Sequence, residues 1–376
     1  MSGIYIHIPF CRKNCSYCDF YFSLNKKHEI AFVEALLTEL EERKNEIKQM
    51  APLQTVYFGG GTPSYLQLKN LQKILHKITQ NFPMAPNPEI TLEANPDDIT
   101  PGNLKAWKNL GINRFSLGVQ SFFDDDLKKL NRSHHASKAF QSIELIQSHG
   151  FENFNMDLIY GLPGMSLDKW DKNLDIFLSF NIPHLSAYAL TVEEGTLLHH
   201  QVKTGKIRMP EDEIIRRQFY TLKEKLEQAG FEHYEISNFA LPGKKSLHNT
   251  SYWEGKPYVG LGPSAHSFDG NKIRRWNVAN LHRYIHALKS GQKYFESETL
   301  TPRDQFNEYI LTGLRTANGI NLNHIRQNFP RFYPRLIEKA QKLEKEHLII
   351  MQNNTLKVRY EYLFQTDGII SEFFEV

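Results

Sequence analysis

All three cysteines of the chain lie in one short stretch, FCRKNCSYCDFYF, as Cys11, Cys15 and Cys18. An odd number of thiols this close together cannot build a disulfide framework, and in a reducing compartment such a group holds metal or does redox chemistry. The Cys-x-x-x-Cys-x-x-Cys spacing puts three thiolates on one tight loop. That is enough for three corners of an iron-sulfur cube and one short of the usual four protein ligands, so one iron would stay open to another ligand. Structural zinc is the competing reading, but it wants four closed ligands, usually on two separated knuckles, and the chain has no second cysteine pair. His7 would complete a zinc site only if the strand end bent back. Plain core cysteines fit less well still, because the loop is otherwise polar.

The elements that must hold this loop show a repeating pattern. Residues 2–9 alternate Ile4, Ile6 and Ile8 against Tyr5 and His7, which predicts a strand running directly into the cysteines. Residues 28–50 repeat apolar side chains at Ile30, Val33, Leu37, Leu40 and Ile47, with helix periodicity. The alternation recurs. TVYF (55–58) precedes a helix at 66–79, and EITLEA (89–94) precedes a helix that Thr100 caps and Gly111 ends. RFSLGV (114–119), FNMDLIY (154–160) and HLSAYAL (184–190) are each followed by a helical stretch. Six βα units predict an α/β fold, a complete or partial parallel (β/α) barrel, with a doubly wound open sheet as the runner-up. A barrel domain over 1–240 and a smaller α+β carboxyl-terminal domain over 241–376 are expected.

Parallel barrels carry their chemistry at the carboxyl ends of the strands. Unusual residues gather there: the cysteines after strand one, GGGTPS (59–64) after strand two, Glu93 and Asn95 at strand three, Gln120 at strand four, and Asp157 with a glycine turn at strand five. Each motif alone reads as an ordinary turn; together they predict a site.

The three-cysteine loop followed by YFGGGTPS resembles the radical S-adenosylmethionine (SAM) superfamily. IYIHIPFC, GVQS, NRSHH and DLIYGLPG narrow the likeness to its oxygen-independent coproporphyrinogen oxidase-like branch, over nearly the whole chain. The resemblance implies a 4Fe-4S cluster whose open iron is chelated by SAM, which one electron cleaves to a 5'-deoxyadenosyl radical. It also implies that Gly60, Gly61 and Thr62 line the methionine moiety and that Tyr5 and Tyr17 flank SAM. Glu93, Gln120, Arg132 and Asp157 match further SAM-contacting positions. Asp157, inside an apolar strand, needs a buried partner; Arg132 reads equally well as a surface charge. True coproporphyrinogen oxidases carry a further cysteine two places after the third, and an amino-terminal extension. Here Asp19 and Phe20 follow Cys18 and the cluster loop starts at Cys11, which argues against that decarboxylation. The HemW group fits better, through its HNxxYW motif: LHNTSYW supplies His248, Asn249, Tyr252 and Trp253 in order, expected on a loop of the carboxyl-terminal domain.

An imidazole is a common axial ligand of haem iron, and neighbouring aromatics can pack a porphyrin. On chemistry alone one His among 16 carries little specificity. The resemblance implies haem binding with His248 in contact, and delivery to apo-haemoproteins such as respiratory cytochromes, membrane-bound ones included. It implies a homodimer too, although no local feature demonstrates one. A catalytic radical SAM enzyme acting on a tetrapyrrole or another substrate remains the alternative.

The rest of the sequence narrows the partners. Lys+Arg number 45 against 42 Asp+Glu, a formal charge of +3, too balanced to point to nucleic acid or an anionic surface. Absence of a long apolar run and of a signal-peptide pattern makes the cytoplasm the expected compartment. Residues 278–314 look helical, with more helices at 321–328 and 333–347, and LIIMQNNTLKVRY predicts a hairpin turning at Asn353 and Asn354. Helices followed by a hairpin can be a winged helix. Lys339, Lys342 and Lys345, however, interleave with Glu338, Glu344 and Glu346 as a solvated face, which argues against a nucleic-acid partner.

Overall fold

The computed structural model describes residues 2–375. Six parallel strands form its centre: β1 (Gly3–Ile8), β2 (Leu53–Gly60), β3 (Met84–Ala94), β4 (Arg114–Gln120), β5 (Phe154–Tyr160) and β6 (His184–Ala189). They pair in chain order, with helices on the crossovers. The outward residues of β1, Ile4, Ile6 and Ile8, are fully buried among those helices. The opposite face is polar, which is unusual for parallel strands covered on both sides. Thr55, Tyr57, Glu93, Ser116, Asn155, Asp157 and Ser186 all point into it and bond to one another or to side chains that close it off.

The sheet does not close on itself. Beyond β6 it continues antiparallel through β7 (Glu232–Glu235) and β8 (Asn238–Ala240). Beyond β1 it continues through parallel β9 (Tyr258–Leu261) and antiparallel β10 (His266–Phe268), β11 (Ile273–Asn277) and β12 (Phe295–Thr299), giving 12 strands in all. The partial barrel is thus the form found. The division expected at residue 240 falls between β8 and β9 of this one sheet. A separate core of smaller extent runs from Phe306 to Phe373, under a three-stranded sheet of β13 (Ile320–Asn321), β14 (Ile349–Gln352) and β15 (Thr355–Val358).

Two local expectations change. The stretch 278–314 is not one helix: helix Leu281–Ser290 ends on left-handed Gly291, β12 intervenes, and helix Pro302–Leu314 starts on a Thr301 capping box. β12 was hidden because both of its faces are largely exposed, so FESET lacks apolar alternation. The HNxxYW stretch is not a loop. It is helix Leu247–Trp253, whose Ser246 cap accepts from the Asn249 N–H at 3.3 Å, while the Glu89 carboxylate accepts from Leu247 and His248 at 3.0 Å each. The hairpin turns as expected, with Asn353 and Asn354 at φ of 51° and 60°.

Candidate functional site

The loop after β1 is tied at its neck and at its crown. Cys11 N–H donates to Ser23 O (3.1 Å) and Ser23 N–H to Pro9 O (2.6 Å), which brings the two ends of the loop together. Ser16 N–H donates to Leu130 O (3.0 Å), and Ser16 O accepts from Leu198 (2.7 Å). The three thiols between these anchors are half-buried and border a common cavity. Thr62 Oγ1 lies 3.6 Å from Cys11 Sγ, and Arg132 Nη1 donates to Cys15 Sγ at 3.4 Å. Burial pushes the Cys11 thiol up to about 11 and raises Cys18 as well. Metal must therefore displace protons here. Among the described residues no three His, Cys, Asp or Glu side chains converge on a single ion. A cubane makes no such demand, because each thiolate binds its own iron. The donor set, a nearby cation and an adjoining cavity together fit a cluster.

That cavity, of ≈ 460 Å³, has the size of a small-cofactor cleft. Tyr57, Gly60, Gly61 and Thr62 wall it from β2 and the turn after it, Glu93 from β3, Ser116 and Gln120 from β4, Asp157 from β5 and Tyr188 from β6. Gly60 has φ of 107°, and a Cβ there would meet the His7 ring at 2.7 Å; a Cβ on Gly61 would meet Ile8 O at 2.9 Å and Cys11 Sγ at 3.0 Å. The bare backbone therefore lies against the cysteine loop. Glu93 accepts from Tyr57 O–H (2.9 Å) and Gly60 N–H (3.1 Å). Burial pushes its carboxyl up to about 8 against these bonds, helped by the charge of Asp157. Asp157 rises to about 6, again through burial, although Ser116 and Asn155 donate to it at 3.1 and 2.7 Å. Both carboxyls can accept ligand donors, and Arg132 places a cation beside the thiolates.

Residues 5–176 match the model of the radical SAM superfamily. The heme chaperone HemW of Lactococcus lactis is 34% identical over 350 residues, covering 93% of this chain and 90% of the relative. The protein of the same name in Bacillus subtilis is 36% identical, covering 88% of each.

The chain belongs to the HemW family of radical SAM proteins.

A further relative, radical S-adenosyl methionine domain-containing protein 1, mitochondrial, of Danio rerio, is 33% identical over 98% of this chain and 86% of its own length. Among solved structures, HemN of Escherichia coli, described as coproporphyrinogen III oxidase and a radical SAM enzyme, superposes with a TM-score of 0.85 at 22% identity, over 99% of this chain and 89% of that one. At that identity the likeness fixes the fold.

The HemW-family cavity gathers most of the expected residues. Cys11, Cys15, Cys18, Tyr17, Gly60, Gly61, Thr62, Glu93, Gln120, Arg132 and Asp157 all border it. Arg132, readable as a surface charge, instead spans from Cys15 to Gly118 O (2.8 Å). Gln120 reaches the cavity from a strained φ of 70°, where the β4–β5 register shifts. Two expectations need correction, those on Tyr5 and His248, and the rejection of His7 as a ligand holds. Tyr5 does not line the cavity: three residues before the end of β1, it lies a layer below the rim, stacked on Tyr57. His7 has no nitrogen to offer a metal, since Nε2 meets Tyr21 O (2.9 Å) and Nδ1 meets Tyr5 O–H (3.2 Å). His248 does not present an open ligand to haem iron. It is 1% exposed, with Nδ1 at 2.7 Å from Thr55 Oγ1 and Nε2 at 2.8 Å from Tyr252 Oη. Tyr57, Ser116 and Tyr188 were overlooked, though strand parity with Gly59, Gly118 and Ser186 marks them as inward.

Proposed function

We propose that this HemW-family protein is a haem chaperone: it binds haem and hands it to apo-haemoproteins such as respiratory cytochromes, and it carries a 4Fe-4S cluster and SAM. The observation that carries this reading is likeness to relatives named heme chaperones, 34% and 36% identical over about nine tenths of both chains. The cavity beside the three thiols supports the cofactor half.

Cys11, Cys15 and Cys18 would each hold one iron, and Gly60, Gly61 and Thr62 line the same cavity, where a ligand of the remaining iron would bind. When bound, the cluster supplies an electron to the sulfonium of SAM. The chain's own residues do the rest. Arg132 offsets the thiolate charge at Cys15, Glu93 and Asp157 accept hydrogen bonds from the ligand's polar donors, and the Tyr57 and Tyr188 rings narrow access for water. Haem uptake is not assigned to His248, whose ring nitrogens are both engaged. No described helix is long and apolar enough to cross a membrane; a cytoplasmic setting is the reading that an odd number of clustered, free cysteines favours. Self-association as a homodimer is part of the same proposal.

Anaerobic titration of haem into the reconstituted protein, followed by mixing with an apo-cytochrome, tests the function. Saturable Soret shifts and haem transfer faster than from free haem are expected; non-saturating uptake with no acceleration would sink it.

A further inference from the structure

The HNxxYW helix and the cofactor cavity lie at opposite ends of the barrel interior, and one chain of side chains joins them. The helix closes the amino-terminal end: Glu89, which bonds its first N–H groups, pairs in register with Thr55 near the start of β2. The cavity opens at the other end, past Gly60, five residues further along β2 and about 16 Å away. His248 reaches inward from the helix and is pinned at both nitrogens, by Thr55 and by Tyr252. Its ring stacks on Tyr57, with centroids 5.0 Å apart and planes at 20°, and on Tyr5 at 6.5 Å and 25°. Tyr57 then donates to Glu93 Oε1, and Glu93 Oε2 accepts from Gly60 N–H. Tyr57, Glu93 and Gly60 are cavity-wall residues, whereas His248 is not.

We propose that His248 is a positioning residue for SAM: from the far end of the barrel it clamps the Tyr57 ring, so that the phenol O–H holds Glu93 in the orientation the ligand meets. The inference rests on the reading that this cavity takes SAM. Burial and the nearby Arg114 hold the imidazole pKa down at about 3, so the clamp is a neutral ring. One nitrogen then donates and the other accepts, and the Thr55 and Tyr252 hydroxyls can play either part. Two fixed hydrogen bonds and a face-to-face contact leave the ring one orientation.

The test uses the full chain, anaerobically reconstituted, and reads the Kd for SAM together with the SAM-induced change in the electron paramagnetic resonance of the reduced cluster. Tyr57→Phe removes the bond to Glu93 and is expected to weaken SAM binding about five- to tenfold. His248→Leu is expected to weaken it about threefold or more on its own, and less than about twofold once Tyr57 is already Phe, because both act through one hydroxyl. Tyr252→Phe frees only His248 Nε2; it keeps the question answerable if His248→Leu folds poorly, and should weaken SAM binding about two- to threefold. Fully additive effects, or a His248→Leu protein with wild-type SAM affinity and altered haem affinity, overturn the inference. A wild-type protein that holds the cluster yet binds no SAM overturns both the inference and the reading of the cavity beneath it.

Discussion

Glu93→Gln is the most discriminating single change at the cavity, because the pKa of Glu93 converts directly into a pH profile for SAM. With the carboxyl pushed up to about 8 by burial, about a tenth of the molecules carry the carboxylate at pH 7 and about nine tenths at pH 9. If the ligand binds the ionised form, apparent affinity follows that fraction, and the Kd should fall about tenfold between pH 7 and pH 9. Asp157, at about 6, is already about nine tenths ionised at pH 7 and contributes almost none of the change. The amine of SAM titrates in the same range, but equally in both proteins, so the observable is the difference in slope. Isothermal titration of SAM into reconstituted wild type and Glu93→Gln, at half-unit pH steps, reads it. A wild-type slope no steeper than that of the variant would refute the role given to Glu93.

Cys15→Ala should drop reconstituted iron from about four per chain to well under one and abolish the broad visible absorption, as measured by iron assay and spectrum. Gly60→Ala puts a Cβ against the His7 ring at φ of 107°; a loss of about 1–3 kcal/mol in denaturant unfolding, with weaker SAM binding, is expected. Ser246→Ala removes the side-chain cap of the HNxxYW helix and should cost about 1 kcal/mol by the same measurement. Measured against Glu93→Gln, so that the buried histidines with lowered pKa, which work the other way, cancel, the cofactor-free protein should lose stability as pH rises from about 4.5 to about 8. A carboxyl such as Glu93, raised above its unfolded value, keeps a proton in the folded state that the unfolded chain releases. A thermal midpoint of wild type minus that of Glu93→Gln that falls across that range meets this expectation, and a constant difference contradicts it.

The six central strands were legible because each carries a buried apolar face in a period of two and is followed by a helix. The site was legible for the same reason: fixing the strands fixes their carboxyl ends, and Gly60, Glu93, Gln120 and Asp157 follow. What stayed hidden depends on partners far along the chain. Arg132 is explained by Cys15, 117 residues away, and the first two N–H groups of the seven-residue helix at His248 are bonded by Glu89, 158 residues from Leu247. A sequence window contains neither partner. β12 failed differently, being an edge strand with little to bury. For His248 the family resemblance implied a haem contact, while burial makes it a packed, doubly bonded ring, the commoner fate of a lone histidine.

The function proposed for this protein is haem delivery in place of porphyrinogen decarboxylation. The most direct measurement gives one reconstituted, anaerobic preparation both tasks: haem transfer to an apo-cytochrome, and release of carbon dioxide from coproporphyrinogen in the presence of SAM and a reductant. Rapid transfer with no carbon dioxide above background is predicted; sustained decarboxylation without transfer would contradict it.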